Sequence, residues 1–305
     1  MKHLLVATLL SVISLAAGMH ARAQDPAAPP GMAQKYQAEI ASAAAKPTPR
    51  LSDGHPDLNG VWSRSILADI KVPGERSADG SVRTFAPEGL APGAPIPGAD
   101  KLSKGELVNI TSRNRDLANV ARRASAPNQP PYKPELVAKV KANAEKQIDL
   151  DGTFYCRPAG VPRMGPPSQI VQSSNGVAFL YEEGNLFRFI PTDGRPHRSD
   201  AYHSYMGDSV GHWEGDTLIV DVTHLTDESW LNQDGAFHSE QMHVIERLRR
   251  EGDVLHYTVT VEDPVVFTRP WEMTPRHLVL RKDAVEESEP CEELDRKYLI
   301  NYDRH

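Results

Sequence analysis

Residues 205–221 read YMGDSVGHWEGDTLIVD and contain the clearest strand signal in the chain. Side chains there alternate between two faces, with Leu218, Val220 and Val222 on one and Thr217, Ile219 and Asp221 on the other. This period of two is typical of a β-strand with one buried face. The preceding turn, Glu-Gly-Asp at 214–216, has close copies at 183–185 and 251–253, so we predict a series of hairpins.

Strand-like segments continue on both sides of this stretch. They cover residues 60–62, 169–173, 177–182, 186–191, the segment near His212, 217–222, 242–250, 254–262 and 272–281. Short turns between most of them are typical of an antiparallel meander, which protects its edges best by closing into a barrel. We predict a mainly β fold, either a barrel or a strongly curved antiparallel sheet, with two packed helices.

Both helices are predicted between the first strand and the others. Ser103-Lys-Gly-Glu106 is a capping box, which satisfies free N–H groups at the start of a helix of about 20 residues. Pro134 suits the first turn of a second helix, 135–148. We interpret residues 24–55 as a linker with a short helix, 32–45. The remainder, 56–305, is then a single β-rich domain with a helical insertion at about 103–149.

The first 23 residues have the pattern of a secretory signal peptide. Lys2 lies in a short polar start, an apolar core follows from Leu4 to Ala17, and Ala21-Arg22-Ala23 fits a cleavage site. We expect a periplasmic or secreted protein, cleaved near Ala23. No later segment approaches the roughly 18 apolar residues of a membrane helix, so no membrane span is predicted.

The charge of the chain argues against a nucleic-acid partner. There are 34 basic and 41 acidic side chains, a net charge of −7; without Lys2 and Arg22 of the signal peptide the balance is 32 against 41, or −9. The basic residues are scattered, whereas nucleic-acid binding needs a basic patch. We expect a small-molecule ligand or substrate, and the sequence indicates no partner protein.

Cys156 and Cys291 are the two cysteines of the chain. An even number of cysteines in an exported chain favours a disulfide. The alternative is two buried free thiols. Two cysteines alone make neither a zinc site nor a haem site.

Gly207-Asp-Ser-Val-Gly211 matches G-x-S-x-G, the nucleophile motif of serine hydrolases. That motif works at a sharp turn between a strand and a helix. Here a predicted strand and hairpin follow Ser209, which favours a turn residue or a substrate contact over an acylated nucleophile.

Six of the twelve histidines lie between His197 and His243, interleaved with carboxylates. Acid–base chemistry needs one histidine and one carboxylate that converge on a pocket. We predict His212, His238, Asp208 and Glu240 as catalytic residues. The spacing lacks the H-E-x-x-H pattern, so no metal is assigned, although a transition-metal site assembled from separate loops stays open as an alternative.

Several other residues are candidates for substrate binding. They are Trp213, Arg188, Arg195, His243 and Ser209. Trp213 adjoins His212 and offers a face for stacking, and the two arginines offer contacts for an anionic group. The alternative is structural, with Trp213 closing the core and the arginines paired to Glu182 and Glu183.

Five motifs together resemble a broad group of uncharacterised exported bacterial proteins. They are PDLNGVW at 56–62, CRPAGVPR at 156–163, DGRPH at 193–197, the stretch 207–221, and HSE at 238–240. This resemblance covers most of residues 56–293 and implies no established activity. Gly60-x-Trp62 is also similar to the opening of lipocalins, barrel proteins that hold small apolar ligands, which implies a lipocalin-like barrel.

Two functions follow from these patterns as expectations. The first is a periplasmic enzyme, a hydrolase, lyase or isomerase, that acts on a small organic molecule by acid–base chemistry without a cofactor. The alternative is a small-molecule binding or carrier protein of lipocalin-like type. A structural envelope protein without a pocket is a third possibility.

Overall fold

The computed structural model describes residues 32–62, 128–282, 284–285, 287–288 and 291. The predicted signal peptide and the helix predicted from Ser103 lie outside these residues. Ten strands form one sheet: β1 Gly60–Trp62, β2 Gln169–Ser173, β3 Gly176–Tyr181, β4 Leu186–Pro191, β5 Asp208–Glu214, β6 Thr217–Thr223, β7 His243–Glu251, β8 Val254–Glu262, β9 Trp271–Glu272 and β10 Arg276–Arg281.

The sheet has the order β4-β3-β2-β1-β10-β8-β7-β6-β5, with β9 paired to β8. All of these pairs are antiparallel, and the sheet curves into a nearly closed barrel. The predicted mainly β, barrel-like fold with packed helices is therefore confirmed. The chain is not a simple meander, however, because β1 pairs with both β2 and β10 and thereby joins the two halves of the sheet.

The last predicted strand, 272–281, is divided in the structure. Residues 273–275 separate β9 from β10. Pro275 lies in this gap, and its missing N–H group cannot take part in a ladder, which explains the break. The other predicted strand bounds agree with the structure to within a residue, and 254–262 agrees at both ends.

The edge strands β4 and β5 run in the same direction. Since each step in a path of nine described strands is antiparallel, the first and last strands must be parallel. The contacts between the two strands support this: Arg188 contacts Ser209, and two residues further along each strand Ile190 lies against Gly211. A Cβ on Gly211 would lie 2.8 Å from Ile190 Cγ2, so a glycine allows this close approach. We call this boundary the seam.

The inward face of the barrel is filled by large side chains. Residues at most 1% exposed include Trp62, Phe179, Leu218, Leu248 and Leu278. Full burial of one such side chain stabilises a fold by about 1.5–3 kcal/mol. At these positions the barrel has a packed core and not a hollow one.

Three α-helices lie in the described part of the chain: α1 Met32–Ala44, α2 Val137–Glu145 and α3 Gln147–Leu150. The end of α1 docks on the β7–β8 turn, where Asp253 N–H donates to Ala43 O at 2.9 Å. The predicted helix 135–148 is divided between a 3-10 turn, α2 and α3. None of the described helices combines the length and hydropathy that crossing a bilayer requires.

Cys156 and Cys291 form a disulfide, with their Cα atoms 5.6 Å apart. The predicted bridge is confirmed. It connects the segment before β2 to the residues that follow β10, and it is compatible with an oxidising compartment.

Candidate functional site

A cleft of about 350 Å³ lies at the seam, between β4, β5 and the connection 192–207. Its polar lining residues are Arg188, Arg195, Arg198, Asp208 and Ser209. Its apolar lining residues are Phe187, Phe189, Pro191, Pro196, Met206 and Val210. The topology produces this seam cleft, because a connection between parallel neighbours has to return along the length of the strands.

Arg188 reaches the seam cleft from the barrel interior and is only 4% exposed. Its Nε and Nη2 donate to Tyr181 Oη at 3.0 and 2.7 Å, and Nη2 also donates to Glu246 Oε2 at 2.6 Å. Nη1 donates to Ser209 Oγ at 3.3 Å, which is long for a hydrogen bond. A guanidinium has five N–H groups, so one N–H of Nη1 has no acceptor among the described residues.

The charge of Arg188 is secured by its partners. Burial alone would lower the pKa of Arg188, but Glu246, Tyr181 and Tyr257 together outweigh burial and raise it. Glu246 also accepts a hydrogen bond from Tyr257 Oη at 2.6 Å. Arg188 and Glu246 thus form a buried ion pair without net charge, and one N–H of Arg188 Nη1 remains as a hydrogen-bond donor at the seam cleft.

Arg195 and Arg198 lie on the solvent side of the same cleft. Arg195 Nη2 donates to Asp193 Oδ2 at 2.5 Å, and Arg198 Nε donates to Asp208 Oδ1 at 2.8 Å. Both arginine side chains are more than half exposed. The Arg195–Asp193 pair is exposed at both partners and contributes little to stability, so Arg195 can move to meet a ligand at small cost, whereas Asp208, the partner of Arg198, is only 10% exposed.

Asp208 connects the seam cleft to a histidine. Its Oδ2 lies 2.9 Å from His197 Nδ1, and the other ring nitrogen, Nε2, lies 2.8 Å from Asp221 Oδ1. One imidazole donates to two carboxylates only when both nitrogens carry hydrogen. The ring of His197 thus lies between the carboxylates of Asp208 and Asp221, with one nitrogen directed at each.

Beyond Asp221 the contacts continue across the outer face of the sheet. Asp221 Oδ2 lies 2.8 Å from His243 Nε2, and His243 Nδ1 lies 3.3 Å from Glu262 Oε2. Strands β5, β6, β7 and β8 supply Asp208, Asp221, His243 and Glu262, and the connection 192–207 supplies His197. We call these five residues the histidine–carboxylate chain.

The pKa values in this chain favour charged groups. Burial would raise the pKa of Asp208, but hydrogen bonds from Arg198 and His197 outweigh it, and the pKa is lowered. Burial likewise opposes the lowered pKa of Asp221, which His243 and His197 produce. The hydrogen bond to Asp221 raises the pKa of His243 against the effect of burial. A proton is therefore favoured on His243 and disfavoured on Asp208 and Asp221.

Four predicted site residues line the seam cleft together: Asp208, Ser209, Arg188 and Arg195. Asp208 and Arg188 lie on opposite sides of the sheet, and the seam gives both access to one cleft. His243, predicted as a substrate contact, lies instead further along the histidine–carboxylate chain, with His197 and Asp221 between it and Asp208.

The other predicted site residues lie elsewhere. His212 Nε2 is 3.2 Å from Glu214 Oε1 on the exposed surface of β5. Trp213 stacks on His55, with ring centroids 4.5 Å apart. Glu240 is exposed and makes no hydrogen bond with His212 or His238 in the described part of the chain. The expected convergence of these residues on one pocket is not observed.

His238 pairs with a serine that the sequence analysis did not consider. Its Nδ1 lies 3.1 Å from Ser239 O and therefore carries the hydrogen, so Nε2 accepts from Ser229 Oγ at 3.0 Å. Burial lowers the pKa of His238 despite the hydrogen bond to Ser239. Both members are buried, and Gly160 lies so close that a Cβ there would be 2.9 Å from Ser229 Oγ. This pair is covered by backbone and is best explained as part of the core.

Sequence analysis missed His197, Asp221 and Arg198. A signal for Asp221 was present, because strand periodicity places it on the outer face of the sheet beside the predicted Asp208, at neighbouring register positions of adjacent strands. The contact of His197 with both depends on how the connection 192–207 folds back, which periodicity does not predict. No cluster of three or more potential metal ligands occurs among the residues that the structure describes.

Comparison of the chain with protein-family models, curated proteins and solved structures gives no match. The function therefore has to be argued from the site itself.

Proposed function

We propose that the protein is an enzyme that acts on a small organic molecule in the seam cleft by acid–base chemistry, as a hydrolase, lyase or isomerase. The observation that supports this most is the 2.9 Å contact between Asp208, which lines the cleft, and His197. A titratable group at a cleft, within hydrogen-bond distance of an imidazole, is the arrangement that acid–base catalysis requires.

Asp208 is the residue that exchanges a proton with the substrate. In the resting site Arg198 and His197 lower the pKa of Asp208, and a carboxylate with a lowered pKa is a weaker base. An oxyanion of the substrate competes for the exposed guanidinium of Arg198. When Arg198 moves to the substrate, Asp208 loses one of its stabilising partners, its pKa rises, and it becomes the stronger base.

Arg188 and Ser209 supply the contacts for a substrate oxygen. The unused N–H of Arg188 Nη1 and the Ser209 hydroxyl lie next to each other, at 3.3 Å, on the cleft wall. Donors that are fixed before the substrate arrives stabilise negative charge as it develops on an oxygen. The buried pair with Glu246 keeps Arg188 in place for this role.

We further propose that the protein works in the periplasm. The support is the disulfide between Cys156 and Cys291, together with the signal-peptide pattern of residues 1–23.

A substrate screen with a matched pair of variants tests the enzyme proposal. Purified protein is incubated with a panel of hydroxy acids, unsaturated carboxylates and lactones, and consumption of each is followed by NMR. Molecules that are consumed are then tested with His197→Gln and with His212→Gln. We expect loss of turnover in His197→Gln only, since His212 lies outside the seam cleft. Equal loss in both variants, or none in His197→Gln, contradicts the proposal.

The second candidate is a small-molecule binding protein without turnover. It is favoured by the hydrogen bonds of the two histidines: both ring nitrogens of His197 and of His243 already have carboxylate partners, so neither has a nitrogen left to exchange a proton with a substrate. Binding would take place in the seam cleft, because the described barrel interior is packed with side chains. Panel members that bind to wild-type protein and are recovered unchanged would support this candidate over the enzyme.

A further inference from the structure

We propose that the seam cleft selects an amphipathic carboxylate, with its charged head at Arg188 and its apolar body on an outer ridge formed by Phe187, Phe189 and Val171. This inference rests on the proposed function in that it concerns the same cleft. It adds the class of ligand, which acid–base chemistry alone does not specify.

The head of the ligand is defined by the polar side of the cleft. Arg188 is more than nine-tenths buried and has one N–H of Nη1 without an acceptor among the described residues, beside the Ser209 hydroxyl. A guanidinium edge and a hydroxyl together suit the oxygens of a planar carboxylate. The exposed Arg198 can complete the contact from the solvent side.

The charge of the ligand follows from the pairing of the three cleft arginines. Each of them already contacts one carboxylate: Glu246 for Arg188, Asp193 for Arg195 and Asp208 for Arg198. The formal charges cancel before a ligand binds. Each negative charge of a ligand therefore has to share a guanidinium with a carboxylate of the protein, so such a site favours a monoanion over a dianion such as a phosphate monoester.

The apolar body is defined by side chains that protrude from β4. Phe187 and Phe189 are 68% and 52% exposed, while Arg188 between them points inward. The register places Phe189 opposite Ala178 and Ala178 opposite Val171, which is 44% exposed. This row crosses two strand spacings, about 10 Å, so the ridge accommodates a medium-length chain or a ring system.

The polar contact site at Arg188 and the outer ridge are continuous, because Phe187 and Phe189 of the ridge also line the cleft. A ligand with its carboxylate at Arg188 has its body directed along the outside of β4, β3 and β2. Two large exposed aromatic side chains beside a buried unsatisfied donor are explained together by one amphipathic molecule.

Calorimetric titration with three simple probes tests this inference. Octanoate has a carboxylate head and a long alkyl chain, and butyrate has the same head with a short chain. Octylamine has the long chain with a positively charged head. We expect octanoate to bind roughly tenfold more tightly than butyrate, because added methylene groups bury apolar surface. Octylamine is expected not to bind.

Phe189→Ser tests whether the alkyl chain of the ligand packs on the ridge. Phe154→Ser is the matched control, since Phe154 is exposed but does not line the cleft. We expect Phe189→Ser to lose the advantage of octanoate over butyrate and Phe154→Ser to keep it. Ser209→Ala, which leaves the buried Arg188 pair intact, is expected to weaken both carboxylates. Sedimentation of the same samples tests whether a second copy of the chain occupies the ridge instead of a ligand. If the wild type is a dimer that dissociates in Phe189→Ser while the affinity for octanoate is unchanged, the inference is overturned.

The two proposals fail separately. If octanoate and octylamine bind equally, or neither binds, the ligand class is wrong, whereas turnover that depends on His197 would leave the enzyme proposal standing. If octanoate binds as expected and no panel molecule is consumed, the ligand class stands and the enzyme proposal fails.

Discussion

Arg188 Nη2 donates to Glu246 Oε2 at 2.6 Å inside the barrel, and this ion pair connects the edge strand β4 to β7. The side chains of both residues are at most 3% exposed. The contact has two consequences: it ties a free edge of the sheet to the core, and it fixes a guanidinium at the seam cleft. Stability and ligand binding thus depend on the same pair.

Removal of one partner of this pair should be strongly destabilising. We expect Glu246→Leu to lower the free energy of unfolding by about 3–5 kcal/mol, because it leaves the charge of Arg188 buried and unpaired. The double variant Arg188→Met with Glu246→Leu should recover much of this loss, since no unpaired charge remains. Urea denaturation measures both. Equal instability of the single and double variants would show that charge burial is not the cause.

The histidine–carboxylate chain should make stability depend on pH in a defined window. The pKa of His243 is raised above its usual 6.5, so its contribution is complete below that value and is lost as pH rises through the raised pKa. The pKa of Asp221 is lowered from 3.8, so its contribution is present above that value and is lost as pH falls through the lowered pKa. Both contributions are present together between about pH 4 and 6.5.

His243→Gln tests this window. We expect its loss of unfolding free energy, relative to wild type, to be greater near pH 5.5 than near pH 8.5, by roughly 1 kcal/mol. Denaturation in urea at both pH values provides the comparison. His212→Gln, at an exposed position on the same sheet face, is the control and should show no such difference. A loss for His243→Gln that is the same at both pH values contradicts the account.

Arg198 should control the pKa of Asp208. Hydrogen bonds from Arg198 help to hold this pKa below its usual value, so Arg198→Gln should raise it. Titration of the Asp208 carboxyl carbon by NMR reports the change directly. Arg195→Gln is the matched control, since Arg195 lines the same cleft but pairs with Asp193. An unchanged Asp208 titration in Arg198→Gln would remove the proposed activation of Asp208 by the substrate.

Loss of the disulfide should destabilise the fold. Cys156 and Cys291 are 135 residues apart, and closing so large a loop is worth roughly 5 kcal/mol in the loop-entropy treatment, with smaller losses commonly measured. We expect Cys156→Ser and Cys291→Ser to lower the unfolding free energy by about 2–5 kcal/mol. Reduction of the wild type should have the same effect and should add nothing in either variant. Wild-type stability in both variants would contradict this expectation.

The architecture could be predicted because its signals are local. Period-two alternation and Gly-containing turns identify strands such as 217–223 and 254–262 without reference to the rest of the chain. The position of β1 between β2 and β10, and the parallel relation of β4 to β5, depend on pairing between distant segments. Local patterns carry no information about such pairing.

The site was predictable only in part, for the same reason. Asp208 and Ser209 belong to one motif, and Arg188 and Arg195 were assigned to an anionic ligand; the structure brings all four to one cleft. His197 was part of the histidine-rich window, but its contacts with Asp208 and Asp221 arise from the return of the connection 192–207 over the sheet.

The most direct test of the central claim is the rate at which Asp208→Asn consumes an identified substrate, beside Asp216→Asn. Both aspartates accept hydrogen bonds from an arginine and lie on the β5–β6 hairpin or its turn, but Asp216 pairs with Arg50 outside the cleft. Since loss of an acid–base group commonly costs a factor of about 100 or more, we predict such a loss in kcat for Asp208→Asn and wild-type kcat for Asp216→Asn. Equal kcat values for the two variants would contradict the assignment of Asp208 and of the seam cleft.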